Sequence, residues 1–276
     1  MSISRACSLI QLTRSKWYYQ SKKDDSEIIH KLNDLAQALP TRGFDVYYGR
    51  IRSEGYKWNR KRVLRVYRML KLGLRRKRKR RLPSRIKQPL FQPDRINESW
   101  SADFMCDALD NGRRVRVLNI IDDYNRQALW VDAQFHYPSE MVIRALEILS
   151  MTRGLPQQIR VDNGPEFLSK SFKEYCQQKK IKIAYIQAGK PTQNAYIERF
   201  NRMYREDVLD AYLFSGLEQV RMLSKDWQDD YNGNHPHKSL GGLSPQKYLV
   251  VNSGKLDEFT TINNPDNGNN IINLTT

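Results

Sequence analysis

Cysteine is scarce: Cys7, Cys106 and Cys176 are the only three. They are odd in number and far apart, so neither a disulfide framework nor a C-x-x-C metal pair can be drawn from them. Such thiols suit a reducing compartment. Long apolar runs are also missing. No stretch approaches the ~20 residues of a membrane span, and Ala6–Leu12, flanked by Arg5 and Arg14, is too short and too polar for a secretory signal. A cytoplasmic protein is the expectation. Acidic residues are rare in one part of the chain only. Residues 1–98 hold 26 Lys and Arg against 8 Asp and Glu, whereas residues 99–276 hold 21 against 22. The net charge of +17 therefore sits in the first third, which points to a polyanion-binding region joined to a near-neutral second domain. A hydrophobic content of 39% excludes a wholly disordered chain, and 276 residues leave room for one large domain and one small one.

Residues 1–72 are expected to form a small all-α, helix-turn-helix-like domain. Asp24, Asp25 and Ser26 can cap a helix through Ile28, Ile29, Leu32, Leu35 and Leu39 that stops before Pro40. Arg42–Gly43 turns the chain into a second helical pattern with Val46, Tyr47 and Ile51, closed by Gly55. Asn59 caps a third, Arg60–Lys71, whose Val63, Tyr67 and Leu70 fall at i, i+4 and i+7. Its other faces carry Arg60, Lys61, Arg62, Arg65, Arg68 and Lys71, cations suited to a DNA groove. A helical bundle with a solvated charged face gives the same pattern when that helix is taken alone.

From 73 to 95 the chain reads as a linker. Eight of the eleven residues from Lys71 to Arg81 are basic, and Arg75, Arg76, Lys77, Arg78, Lys79, Arg80 and Arg81 run unbroken. A density that high repels itself and stays extended, and it neutralises phosphates without reading sequence. Pro83, Pro89 and Pro93 keep the remainder extended.

The pattern from 96 to 251 is α/β. Ser101–Asp107 alternates Ala102, Phe104 and Cys106 against Ser101, Asp103, Met105 and Asp107, a half-buried strand. Val115–Ile121 and Ala128–Ala133 make two more around the turn Asp122–Asn125. A helix over Ser139–Thr152, a strand over Gln158–Val161, a turn at Asp162–Pro165, a helix over Ser169–Lys179, a strand over Lys182–Ile186 and a long helix from Asn194 follow. On that last helix Ile197, Phe200, Tyr204 and Val208 make the core stripe. Three strands in succession, then alternating helices and strands, describe a mixed sheet flanked by helices. Residues 252–276, rich in Asn, are expected to be disordered.

Three carboxylates in this α/β region are placed for two-metal phosphodiester chemistry, which needs acidic oxygens around ions roughly 3.5–4 Å apart. Asp103 lies mid-strand, Asp162 sits at a strand's C-terminal end, and Glu198 rides the rim of the following helix. Arg199 and Arg202 stand beside it and could hold DNA phosphates. Taken singly, each acid has an ordinary explanation: an Asp before Asn-Gly makes a turn, and a Glu beside Arg makes a surface ion pair. Asp103 is the least ordinary, since Asp is depleted in strands and costly when buried unpaired.

Spacing and flanking residues lift the three above that background. Between Asp162 and Glu198 lie 35 residues, and between Asp103 and Asp162 lie 58. This resembles the D…D-35-E signature of the retroviral-integrase and transposase catalytic core, an RNase H-like fold. The segments Trp100–Met105, Asp162–Phe167, Gly189–Asn201 and Tyr231–Pro245 resemble bacterial insertion-sequence transposases, in particular the second reading frame, OrfB, of two-frame elements, over about residues 5–250. The resemblance implies that Asp103, Asp162 and Glu198 bind two Mg²⁺ or Mn²⁺ ions. It implies nicking at the element's ends and transfer of the freed 3′-hydroxyl to target DNA. Lys190 and Asn194 become candidates for contacting terminal nucleotides, DNA and further copies of the chain become the expected partners, and the upstream-frame product, OrfA, becomes a possible one. Asn234 departs from the family's Arg-Pro-His pattern, so His235 and His237 read as loop packing, and Asp122 and Asp123 as turn residues. Only His30 and Cys7 precede residue 100, too few for the zinc site of a retroviral integrase. A DNA-binding protein with unused catalysis and a structure-selective nuclease of the same fold are the rival readings.

Overall fold

A computed structural model describes residues 2–19, 24–74, 92–186 and 194–252. Two compact units emerge: Met1–Pro40 with Trp58–Gly73, and Thr41–Lys57 with Leu74–Thr276. The second of the three expected N-terminal helices thus groups with the α/β unit, whereas the sequence reading put all of 1–72 together. Charge sorts residues by what they attract and packing sorts them by what they touch; here the two differ.

In the first unit, α1 (Ile3–Leu9) and α2 (Arg14–Trp17) precede α3 (Ser26–Ala38). Asp24 starts α3 by accepting the backbone N–H and hydroxyl of Ser26 at 2.9 and 2.6 Å, and Ile28, Leu32 and Leu35 bury along one face. The third expected helix, α5 (Arg60–Met69), begins where the Asn59 carboxamide accepts the N–H of Lys61 at 2.8 Å. α3 and α5 pack together. The buried stripe of α5 is Val63, Val66 and Tyr67 rather than Val63, Tyr67 and Leu70. Val66, one turn from Val63, is buried beside Tyr67, and Leu70 falls past the helix end.

The second unit begins with α4 (Phe44–Ser53), closed by Gly55 at φ +95°, a conformation that favours glycine. Its sheet has strands β1 (Ser99–Ala108), β2 (Arg114–Asp122), β3 (Ala128–Gln134), β4 (Gln158–Val161) and β5 (Lys182–Tyr185). They lie in the order β3-β2-β1-β4-β5. The first three are antiparallel, and β4 and β5 extend the sheet in parallel with β1. Strand alternation divides β1 between two layers. Trp100 and Ala102 face a core with Leu118, Ile120, Ile159 and Val161, covered by α6 (Ser139–Thr152) and α8 (Lys170–Gln178) through Val142, Leu146, Phe172 and Cys176. Ser101, Asp103 and Met105 face the other way. There Met105, Val115, Val117 and Ala133 meet Tyr204, Val208 and Val220 from α9 (Ala195–Tyr204), the turn after it and α10 (Leu217–Asn234). Helices on both faces of this mixed five-stranded sheet make an RNase H-like α/β fold.

One expected element departs from its pattern. The long helix from Asn194 is α-helical only to Tyr204, and Arg205–Leu209 form a π-helical turn. Ile197, Phe200, Tyr204 and Val208 are nevertheless all buried, so the wider turn keeps the stripe on the core.

Candidate active site

β1 holds Asp103 in mid-sheet, half-buried, on the layer that faces α9. One carboxylate oxygen accepts the N–H of Phe104 at 2.9 Å and the other accepts the side-chain amide of Asn201 at 2.8 Å. Asn201 lies on α9, three residues after Glu198, so the helix that carries the glutamate also grips the first aspartate. Asn201 is itself held: its carbonyl oxygen accepts the amide of Asn119 at 2.7 Å. Asn119 is fully buried and stands across from Asp103 in the β1–β2 register. Two amides in series thus fix α9 against the centre of the sheet. Sequence reasoning missed both, although a signal existed: Asn119 is the lone polar residue in Val117-Leu118-Asn119-Ile120-Ile121.

Asp162 follows the last residue of β4. Its Oδ1 accepts the N–H of Gly164 at 3.0 Å, and Pro165 then opens the short helix α7 (Pro165–Leu168). A β-carbon on Gly164 would lie 2.9 Å from Asp162 Oδ1 and 3.2 Å from Glu166 Oε2, so only glycine fits between these two acids without displacement. Glu166 pairs with Arg116, whose guanidinium lies 4.4 Å over the Phe104 ring. Burial opposes the charge on Glu166, but Arg116 outweighs it and holds the carboxyl below its ordinary value.

Glu198 is exposed in the first turn of α9. Its charge reaches Asp103, as does that of Asp162. Burial first, then Asp162, then Glu198 raise the Asp103 carboxyl from 3.8 to about 6, against the two hydrogen bonds from Phe104 and Asn201. The fold therefore brings all three acids into one electrostatic neighbourhood from three separate elements. Among the described residues no group of three His, Cys, Asp or Glu side chains is gathered closely enough to hold a metal ion. The acids sense one another without forming a closed ligand set.

The expected DNA contacts are distributed unevenly. Arg199 and Arg202 are exposed on α9. Asn194, the expected nucleotide contact, is buried at the start of α9, and its Oδ1 has no hydrogen-bond partner among the described residues. Lys190 and the run Arg75, Arg76, Lys77, Arg78, Lys79, Arg80 and Arg81 lie outside the described residues. In the first unit Arg60, Lys61 and Arg68 are exposed, while Arg62 and Arg65 both pair with Asp25, at 2.9 and 2.5 Å.

His235 and His237 are buried against Tyr231, their rings 4.9 Å apart. Burial and then the positive charge of Arg42, Arg50 and Arg199 push His235 down to about 3. Burial, His235, Arg199 and Arg126 push His237 to about 2. Both are neutral packing groups at pH 7. Asp122 and Asp123 do more than shape a turn. Asp122 accepts the N–H groups of Tyr124 and Asn97 and pairs with Arg153 at 3.0 Å. Asp123 pairs with Arg160 at 3.1 Å and accepts the hydroxyls of Ser99 and Ser101, tying β1 to β4 below the acids.

Comparison with known proteins gives this geometry a lineage. Residues 93–191 and 179–245 each match a family model described as an integrase core domain. The insertion element IS407 uncharacterized 31.7 kDa protein of Burkholderia multivorans is 36% identical over 259 residues, spanning 93% of this chain and 94% of that protein. The transposase InsD of the Escherichia coli element IS2 is 24% identical over 90% of this chain and 88% of its own length. Among solved structures, the HTLV-2 integrase catalytic core in complex with magnesium superposes with a TM-score of 0.46 at 20% identity, over 58% of this chain and 99% of that one. The chain belongs to the insertion-element transposase family, whose members carry an integrase core domain.

Proposed function

We propose that the protein is a DNA transposase that cleaves at the ends of its insertion element and joins the freed 3′-hydroxyl to target DNA. Membership of the family implies polynucleotidyl transfer on DNA in general, and we assign its chemistry to Asp103, Asp162 and Glu198. The observation that carries it is that Asn201, three residues after Glu198 on α9, donates to the Asp103 carboxylate at 2.8 Å, while the charges of Asp162 and Glu198 both bear on that carboxylate. Carboxylates that repel one another across strand, loop and helix are a costly arrangement for a merely structural role. Their oxygens and surplus negative charge are what a hard divalent cation such as Mg²⁺ or Mn²⁺ takes, and a cation would have to draw the three closer than they stand here. Bound there, such ions would supply Lewis-acid stabilisation of charge on the phosphate oxygens.

The chain's own groups would do the rest. Asn201, backed by Asn119, orients the Asp103 carboxylate. The Gly164 N–H does the same for Asp162. Arg199 and Arg202, exposed one helical turn around Glu198, would bind backbone phosphates and align the scissile bond. The cationic face of α5 and the run Arg75–Arg81 would supply sequence-independent affinity. Joining two element ends to one target requires two such sites held together, so a homo-oligomer on DNA is the proposed working form.

The test incubates the purified chain, with and without its upstream-frame product, with labelled ends of its own element and Mg²⁺ or Mn²⁺. Nicked and then joined products are expected. Asp103→Asn, Asp162→Asn and Glu198→Gln should each abolish both while gel-shift binding persists. Residual joining comparable to wild type in any of the three would overturn the assignment.

A further inference from the structure

We propose that Arg42, which precedes α4, is a positioning residue for the helix that carries Glu198 and Asn201. Segment 41–57 would then be a working part of the catalytic unit rather than an arm of a DNA-reading motif. The inference rests on the site reading above and deepens it.

The π-helical turn follows α9 directly. Asp210 donates its N–H to the carbonyl of Arg205 at 2.8 Å and closes a turn wider than an α-helical one. Such turns are rare, and this one is held from outside its own backbone. Here the support is Asp207. Its side chain accepts the hydroxyl of Thr41 at 2.7 Å, the indole N–H of Trp227 at 2.9 Å and the guanidinium of Arg42. Arg42 reaches further: one Nη donates to the carbonyl of Met203 at 3.3 Å, and the other lies 3.4 Å from Glu206. A single buried side chain, 8% exposed, thereby grips positions 203, 206 and 207 of one helical rod. Met203 comes two residues after Asn201 and five after Glu198. Asn201 in turn holds Asp103. A buried guanidinium paired to a buried carboxylate is costly to disrupt from either side, so the grip fixes the rotation and height of α9 over the sheet.

The rest of the segment has its own anchors, away from α9. Both Nη groups of Arg50 reach the carboxylate of Asp230 on α10. Gly49 lies so close to Pro236 that a β-carbon there would sit 2.7 Å from the ring. These anchors provide a control: they attach the segment without touching the glutamate helix.

The experiment compares full-length Arg42→Gln, Arg42→Lys and Arg50→Gln with wild type. It reads Mn²⁺ binding by electron paramagnetic resonance and amide hydrogen exchange over 195–209. A group hydrogen-bonded to a metal ligand typically alters metal affinity by about ten-fold or more. Arg42 acts one step behind such a group, Asn201, so a loss of about three-fold is the effect to read. Arg42→Gln is expected to weaken Mn²⁺ binding by that factor and to speed exchange on α9, with Arg42→Lys intermediate. Arg50→Gln should lower the melting temperature with no change in Mn²⁺ affinity. Equal effects of Arg42→Gln and Arg50→Gln on metal affinity would reduce the segment to a staple and overturn the inference. If Arg42→Gln does not fold, Thr41→Val removes one hydrogen bond to the same carboxylate and should move both readouts in the same direction by less; no movement counts against us. If wild type binds no Mn²⁺ at all, the metal site reading fails, and exchange over 195–209 still decides whether Arg42 holds the helix.

Discussion

Replacing Asp103 with Asn should make the metal-free protein more stable at neutral pH, although it removes a residue we place at the centre of the chemistry. Folding raises the Asp103 carboxyl from 3.8 to about 6, through burial and through repulsion from Asp162 and Glu198. Between those two pH values the folded state binds more protons than the unfolded state. Raising the pH through this window therefore draws a proton from the folded protein and lowers its stability. The cost is absent below about pH 3.8 and complete above about pH 6. At about 1.4 kcal/mol per pH unit, the charged side chain costs the fold about 2–3 kcal/mol at pH 7. Asn is close in shape, stays neutral and can still accept from Asn201. For a unit of this size the gain is roughly 5–10 °C in melting temperature. The assay is thermal unfolding of wild type and Asp103→Asn in EDTA from pH 4 to pH 8. The difference between the two proteins should be near zero at pH 4 and largest above pH 6. Parallel curves, or a variant less stable than wild type at pH 7, would show that the three acids do not share a field.

Other perturbations probe the supports of the site. Asn201→Ala leaves the buried Asn119 amide with only the weak Met105 sulfur acceptor and Asp103 without one donor. A loss of about 1–3 kcal/mol is expected, read by urea unfolding, and Asn119→Val in the same background should recover part of it. The histidine pair acts on stability with the opposite pH sense to Asp103. Folded His235 and His237 stay neutral down to about pH 3 and 2, while unfolded imidazoles charge below about pH 6.5. Stability should therefore fall as pH drops below 6.5, and a His235→Phe variant should melt with a shallower acid limb than wild type. An unchanged limb would mean that the ring is not buried neutral.

Periodicity reached most of the second unit. The strand over Gln158–Val161 and the helix over Ser139–Thr152 stand at the residues where alternation and the 3.6 period place them, because each buries one clean apolar face. Asp103 stands mid-strand and Asp162 just past a strand end, where the alternating pattern puts them; their spacing to Glu198 carried the resemblance and no geometry. The π-helical turn at Arg205–Leu209 was not. Its buried positions mimic an unbroken helix, and what sustains it, Asp207 with Thr41, Arg42 and Trp227, is assembled from residues up to 166 apart in sequence. Helix α4 is paired from equally far along the chain. Its Arg50 reads locally as one more cation on a basic flank, yet it is neutralised by Asp230, and Arg42 by Asp207. A charge asymmetry along the chain reports which residues carry cations and says nothing about which of them the fold has already paired.

That distinction bears on what the acids need. In the second unit, Arg42, Arg50, Arg153 and Arg160 each face a carboxylate partner, and Glu166 has Arg116. Among the described residues Asp103 receives only neutral N–H donors, and two further carboxylates bear on it. A divalent cation would reverse the sign of that field, and by mass action should stabilise the folded state by about 2.7 kcal/mol at a hundred times its dissociation constant. Because Asp103 must release its proton to bind the ion, the Mn²⁺-induced rise in melting temperature should be small at pH 5 and grow through pH 6 to 7. Asp103→Asn, already relieved of the repulsion, should gain little from Mn²⁺ at any pH. If the variant gains as much as wild type, or if wild type gains equally at pH 5 and pH 7, the cation binds elsewhere and the charge on Asp103 serves some other end.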